Sequence, residues 1–170
     1  IGKSVYPEWY YSFGGKIGFK GFDLEVLFQG AAGASVNLLD NWNQTVAFVN
    51  NGNAYEIAKG AWAYYPTEGI DTRATARYPR LTTQSNENNY QTSSMWIKSA
   101  DYLKLRNLEL GYNFNTIKLQ KAGIENLRIY LSGHNLATFS GLLKHYNLDP
   151  ERISGYPTVR SYNVGVSITF

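Results

Sequence analysis

The dominant pattern along the chain is a period-two alternation of apolar and polar residues, repeated in five separate runs. Tyr11, Phe13, Ile17 and Phe19 alternate with Ser12, Gly14, Lys16 and Gly18. Successive strand side chains point to opposite faces, so this run predicts a strand near 9–19. Lys20-Gly21 then reads as a two-residue turn, the glycine supplying the positive φ that a tight hairpin needs. Phe22, Leu24, Val26 and Phe28 alternate with Asp23, Glu25 and Gln29, predicting a second strand near 22–32. A third, near 100–114, sets Leu108, Leu110, Tyr112 and Phe114 against Asn107, Glu109, Gly111 and Asn113. The fourth, near 126–139, sets Leu127, Ile129, Leu131 and Gly133 against Arg128, Tyr130, Ser132 and His134. The fifth, near 160–170, places Tyr162, Val164, Val166, Ile168 and Phe170 on one face, opposite Asn163, Gly165, Ser167 and Thr169.

These strands are long, about 10–14 residues against the usual ~5–6 of globular sheets. A tilted strand crossing a bilayer needs roughly 9–11 residues. Their connections also alternate. The turn at 20–21 and the link 115–125 are short and fall at one end of the strands. The segments 33–99 and 140–159 are long and fall at the other. Short turns on one side and long loops on the other is the layout of outer-membrane barrels, with the long loops outside. The expected fold class is therefore all-β: about five C-terminal antiparallel strands of a large transmembrane β-barrel, with two long extracellular loops. A soluble β-sandwich also alternates, and is the competing reading of the pattern alone.

The first long loop lacks sustained alternation. Val36–Val49 and Tyr55–Ala63 are candidates for short helices, and the stretch from Thr72 to Ser94 is polar and rich in turn residues. It also carries seven aromatics between Trp42 and Tyr78. A connection this long is either functional or disordered, and disordered segments are poor in aromatics.

Composition narrows the function classes. No apolar window is long enough for a transmembrane helix, and the mean hydropathy is −0.34, which membrane strands tolerate because half their residues are polar. Aromatics are 15% of the 170 residues, with 14 Tyr against 8 Phe, a bias suited to membrane interfaces, sugar-contacting surfaces or wet sheets. With no cysteine, disulfide and thiolate chemistry are excluded. The net charge of +3 is spread along the chain, so nucleic acid is not an expected partner. The chain begins at Ile1 with no signal-peptide pattern, which reads as a piece of something longer.

No catalytic constellation emerges, and no enzyme, metal site or cofactor is expected. His134 falls on a polar strand face and His145 in a loop, without a second histidine at ligand spacing. Asp101 and Glu109 lie too far apart along an extended strand for paired acid–base work. The glycines of "GFKGF" open no helix and form no phosphate loop. "LEVLFQG" (Leu24–Gly30) looks like a viral 3C-type protease cleavage sequence used in expression tags, yet it lies in phase with the second strand.

Several blocks, in order and spacing, resemble the C-terminal part of the SusC/RagA family of TonB-dependent outer-membrane transporters. They are "YPRL" (Tyr78–Leu81), "YLKLRNLELGYNF" (Tyr102–Phe114), "LRIYLSGHNL" (Leu127–Leu136), "LDPE" (Leu148–Glu151) and the terminal "YPTVRSYNVGVSITF". "GKIGFKGFDLEVLFQGAAGA" (Gly15–Ala34) looks like the preceding strand pair of that family.

The resemblance implies a segment of a large plugged barrel in the bacterial outer membrane, importing oligosaccharides or peptides with TonB-derived energy. Its implied partners are a SusD-like surface lipoprotein lid, the TonB complex, the rest of the barrel, membrane lipid and an oligosaccharide or peptide cargo. The plug domain and the TonB-contacting box are not among these residues. Trp42, Tyr55, Trp62, Tyr64, Tyr65 and Tyr78 are the candidate contacts to cargo or lid, since aromatic faces stack on sugars and fill apolar pockets. Packing of the loop against itself is the competing account of those rings. Tyr162, Val164, Val166, Ile168 and Phe170 are the candidate closure and assembly row. A passive porin-like or adhesin-type barrel and a soluble carbohydrate-binding β-sandwich are the alternatives.

Overall fold

The computed structural model describes residues 2–114, 117–121 and 123–170. Residues 115, 116 and 122 of the expected short link, and Ile1, lie outside them. Nine strands run along the described residues: β1 (Trp9–Phe19), β2 (Phe22–Ala32), β3 (Ser35–Asn37), β4 (Tyr64–Tyr65), β5 (Ile70–Asp71), β6 (Ile97–Ser99), β7 (Tyr102–Phe114), β8 (Asn126–Ser140) and β9 (Ser161–Thr169). Three short helices, α1 (Trp42–Thr45), α2 (Ile117–Lys121) and α3 (Gly141–Tyr146), lie between them. Two compact units result. One is built from β1, β2, β7, β8 and β9; the other holds the N-terminal residues through Trp9, the segment 32–101 and Ser140–Pro157.

The first unit is one five-stranded sheet in the order β1-β2-β7-β8-β9. Lys20 and Gly21 both take positive φ, 48° and 87°, the combination a two-residue hairpin turn requires. β2 pairs antiparallel with β7, and β8 with β9. In the first pair Phe22 faces Tyr112, Leu24 faces Leu110 and Val26 faces Leu108, whereas Phe28 faces Leu105 and Gly30 faces Leu103. The register shifts between Leu27 and Phe28, leaving Arg106 as an extra residue in β7. This is a β-bulge, and it reverses the parity of the strand. Leu103 and Leu105 therefore share a face with Leu108, Leu110 and Tyr112, although simple alternation sets them opposite. In the second pair Leu127 faces Ile168, Ile129 faces Val166 and Leu131 faces Val164.

The second unit has its own core. β3 pairs with β6, so the long loop starts and ends on a short ladder. Gly33, at φ 83°, turns the chain into it and donates its N–H to Asp101 Oδ1 at 2.7 Å. Beyond the ladder, Leu38, Ala47, Ile57, Tyr78 and Trp96 close into an apolar cluster that also takes in Leu142 of α3. Leu142 belongs to the other long loop, so the two loops share one core. Four rings run through it: Trp42 meets Tyr90 at 5.2 Å, Tyr90 meets Trp96 at 5.8 Å, and Trp96 meets Tyr78 edge-on at 5.6 Å. Within the segments read as candidates for short helices, Val36–Val49 and Tyr55–Ala63, the helical pieces are at 38–41, 42–45, 49–51 and 56–60. Phe48, Asn50 and Asn51 all have positive φ, and left-handed residues cannot continue a right-handed helix.

Candidate functional site

The sheet has two chemically distinct faces. On the apolar face Phe13 stacks on Phe28 at 5.2 Å. Beside them the Tyr11 ring covers Gly30, where an added Cβ would come within 2.4 Å of it, and its hydroxyl donates to the Tyr102 carbonyl at 3.1 Å. The row continues through Leu24, Leu110, Ile129 and Leu131 to Tyr162, Val164, Val166 and Ile168, all exposed. Val164 keeps 75% of its surface accessible and Phe170 81%. Aliphatic side chains occupy the middle of the strands. Phe19, Phe22, Tyr112 and Phe114 gather near the tight-turn end, with Phe22–Tyr112 at 4.6 Å and Tyr112–Phe114 at 4.7 Å. Tyr11 and Tyr162 lie toward the other end. An exposed apolar band edged by aromatics is what a lipid-facing barrel wall presents.

The polar face is bound together by charge. Arg128 Nη2 donates to Asp23 Oδ1 at 2.5 Å and to Glu109 Oε1 at 2.6 Å, while its Nε donates to Asp23 Oδ2 at 3.1 Å. Asn113 adds a hydrogen bond to Asp23 Oδ2 at 2.9 Å. The guanidinium crosses β7 at Gly111, where a Cβ would stand 2.5 Å from Nη2; only glycine leaves room for this bridge. The bulged Arg106 donates to Gln29 Oε1 at 2.7 Å and to Asn135 Oδ1 at 2.8 Å. His134 Nδ1 lies 2.8 Å from Asn107 Oδ1. Tyr130 packs over Gly165 of β9. Sequence alternation places Arg128, Glu109 and His134 on this face, but nothing in it pairs Asp23 with a residue 105 positions away.

The loop aromatics separate into two groups. Tyr78, one of the candidate contact residues, lies inside the loop cluster. It is 1% exposed, its hydroxyl oxygen accepts the Ala47 N–H at 2.8 Å, and burial pushes its pKa well above the ordinary phenol range. It holds the loops together. Tyr55 packs against the same cluster. Trp42, Trp62, Tyr64 and Tyr65 remain accessible. Tyr64 and Tyr65 form β4, paired with β5 across Pro66–Glu68 and Gly69. One face of the Tyr64 ring is covered by the Arg73 guanidinium at 3.8 Å. Arg73 is held by Asp71 at 2.8 Å, and its hydrogen bonds lower the Asp71 carboxyl to about 2. Among the described residues no cluster of His, Asp and Glu could hold a metal ion.

One sheet with an exposed apolar band on one face and an ion-pair network on the other defines a wall segment of an outer-membrane-type β-barrel. The comparisons with known proteins narrow the class. No family model matches. Two curated proteins of Formosa agariphila do: TonB-dependent receptor P3 is 26% identical over 96% of the chain, and TonB-dependent receptor P26 is 24% identical over 98%. Among solved structures, the RagAB peptide importer in its closed-closed state covers the whole chain with a TM-score of 0.70 and 26% identity. A further structure of the RagAB peptide transporter gives a TM-score of 0.71 at 24% identity. Over nearly its whole length the chain is similar to TonB-dependent receptors and, in fold, to the RagAB transporter. It spans about one-sixth of the curated relatives it matches, 16% of P3 and 17% of P26.

Proposed function

We propose that the chain forms the C-terminal wall of a TonB-dependent importer in the bacterial outer membrane, its two long loops on the extracellular side. The carrying observation is the two-faced sheet. Its apolar face suits lipid, and its polar face, cross-linked by Arg128, suits a wet lumen. β9 is an edge strand here. Its unpaired backbone groups are acceptable in a bilayer only when another strand closes on them. The row Tyr162 to Phe170 would then lie at the closing seam.

The loop unit forms the outer rim of this importer and meets a SusD-like lipoprotein lid or the oligosaccharide or peptide cargo. Trp62, Tyr64 and Tyr65 are the exposed rings available for that contact, and the Arg73 clamp reduces the entropy Tyr64 would lose on docking. The combined change Trp62→Ala and Tyr64→Ala in the full-length protein tests this, by co-purification of the lipoprotein and by cargo uptake. Both should fall severalfold while the barrel still assembles. Unaltered co-purification and uptake would overturn the interface.

A further inference from the structure

The turn Glu56–Gly60, Arg77 and helix α3 enclose a cleft of about 590 Å³, within the roughly 300–1,000 Å³ of small-molecule sites. Its charges are unbalanced. Lys59, Arg77 and Lys144 line it together with His145, against the single carboxylate of Glu56. Lys59 already holds that carboxylate at 2.6 Å. Neither Arg77 nor Lys144 has an ion pair with a described carboxylate. Arg77 instead donates a guanidinium N–H to His145 Nδ1, which makes that ring nitrogen the acceptor and keeps the imidazole neutral.

Lys144 and His145 have a structural explanation, since the last turn of a helix favours cations. Arg77 has none of that kind. It comes from a segment 68 residues away, and its backbone N–H is tied to Gly60 O at 2.9 Å, which fixes it at the rim. Partial desolvation, then the charges of Arg77 and Lys144, hold the His145 imidazole below its usual range. Ile57, Leu143 and the Tyr146 ring supply an apolar wall.

We propose that this cleft binds a carboxylate carried on a short apolar or sugar stem, gripped by Arg77 with Lys144 and His145. A planar guanidinium matches a carboxylate bidentately, and the anion would separate the Arg77–His145 pair. The groups facing His145 are Arg77, Lys144, the Lys59–Glu56 pair and the Tyr146 ring, itself approached by Lys98 at 5.8 Å. Cations predominate, so an anion should raise the imidazole pKa, and binding should tighten as pH falls from 8 to 6.

The test is calorimetric titration of the full-length protein in detergent, with glucuronate against glucose and with N-acetyl-glutamate amide against N-acetyl-glutamine amide. In at least one pair the acid should bind about tenfold more tightly than its neutral partner, and Arg77→Gln or Lys144→Gln should remove about tenfold, as expected for one charge-assisted contact. A preference for glucuronate assigns the site to acidic sugars, and a preference for the glutamate amide to acidic side chains. Equal binding of acid and neutral partner in both pairs, or an Arg77→Gln protein that binds as before, would overturn the proposal. Neither result bears on import, which is measured separately.

Discussion

Arg128 ties three strands together through one side chain. It reaches from β8 over Gly111 of β7 to Asp23 of β2, and meets Glu109 on the way. The side chains of Arg128 and Asp23 are 19% and 10% exposed, and that of Glu109 is 30% exposed. Removing one partner of a part-buried ion pair leaves the other charges uncompensated, here the two carboxylates of Asp23 and Glu109. Arg128→Met should therefore lower the unfolding midpoint in denaturant. Arg128→Lys should recover only part of that loss, because an ammonium cannot make both forks. Full recovery by lysine would mean that charge alone matters and the geometry over Gly111 does not.

At the scale of elements, β9 separates the two faces most clearly. Val164 pairs with Leu131 on the apolar face, while Asn163 pairs with Ser132 on the polar one. A cation on a lipid-facing wall costs about 2–4 kcal/mol near mid-bilayer and little on the lumen side. Val164→Arg should sharply reduce the folded protein recovered from outer membranes, and Asn163→Arg should not. Equal recovery of the two would remove the lipid-facing assignment. Alternation made nearly all of this legible in advance: the five long strands, the Lys20-Gly21 turn and the sorting of Leu108, Leu127 and Val164 from Glu109, Arg128 and Asn163. It stopped at β7, where the bulge at Arg106 puts Leu103 and Leu105 out of phase with Leu108. A strand that changes parity looks, to a period-two reading, like a strand that ends. The loop was less legible still. Its rings announced an ordered segment, but nothing local distinguished Tyr78, buried beneath Ala47, from Tyr64 and Tyr65, exposed on a hairpin. That difference is made by contacts with residues 16 and more positions away. The Arg77–His145 cleft left no sequence signal, since its two sides come from different loops.

At the scale of the molecule, each unit has its own source of stability. The sheet relies on its ladders and ion pairs, and the loops on an apolar cluster with Trp96 at its centre, 2% exposed. Trp96 touches Tyr78 and Tyr90 and donates Nε1–H to Asn89 O at 2.8 Å. Replacing a buried Trp by Ala costs about 3–5 kcal/mol, enough to open a unit of this size. Trp96→Ala should make 32–101 sensitive to limited proteolysis while the unheated protein keeps the fast gel migration of an intact barrel. Loss of that migration together with the loops would show that the two units fold as one. The position of Leu142 in the loop core, 1% exposed, has a consequence for inheritance. The two loops, separated in sequence by β7 and β8, depend on one shared core. A relative that exchanged only one of them would expose a socket without its plug, so recombination should move both loops or neither.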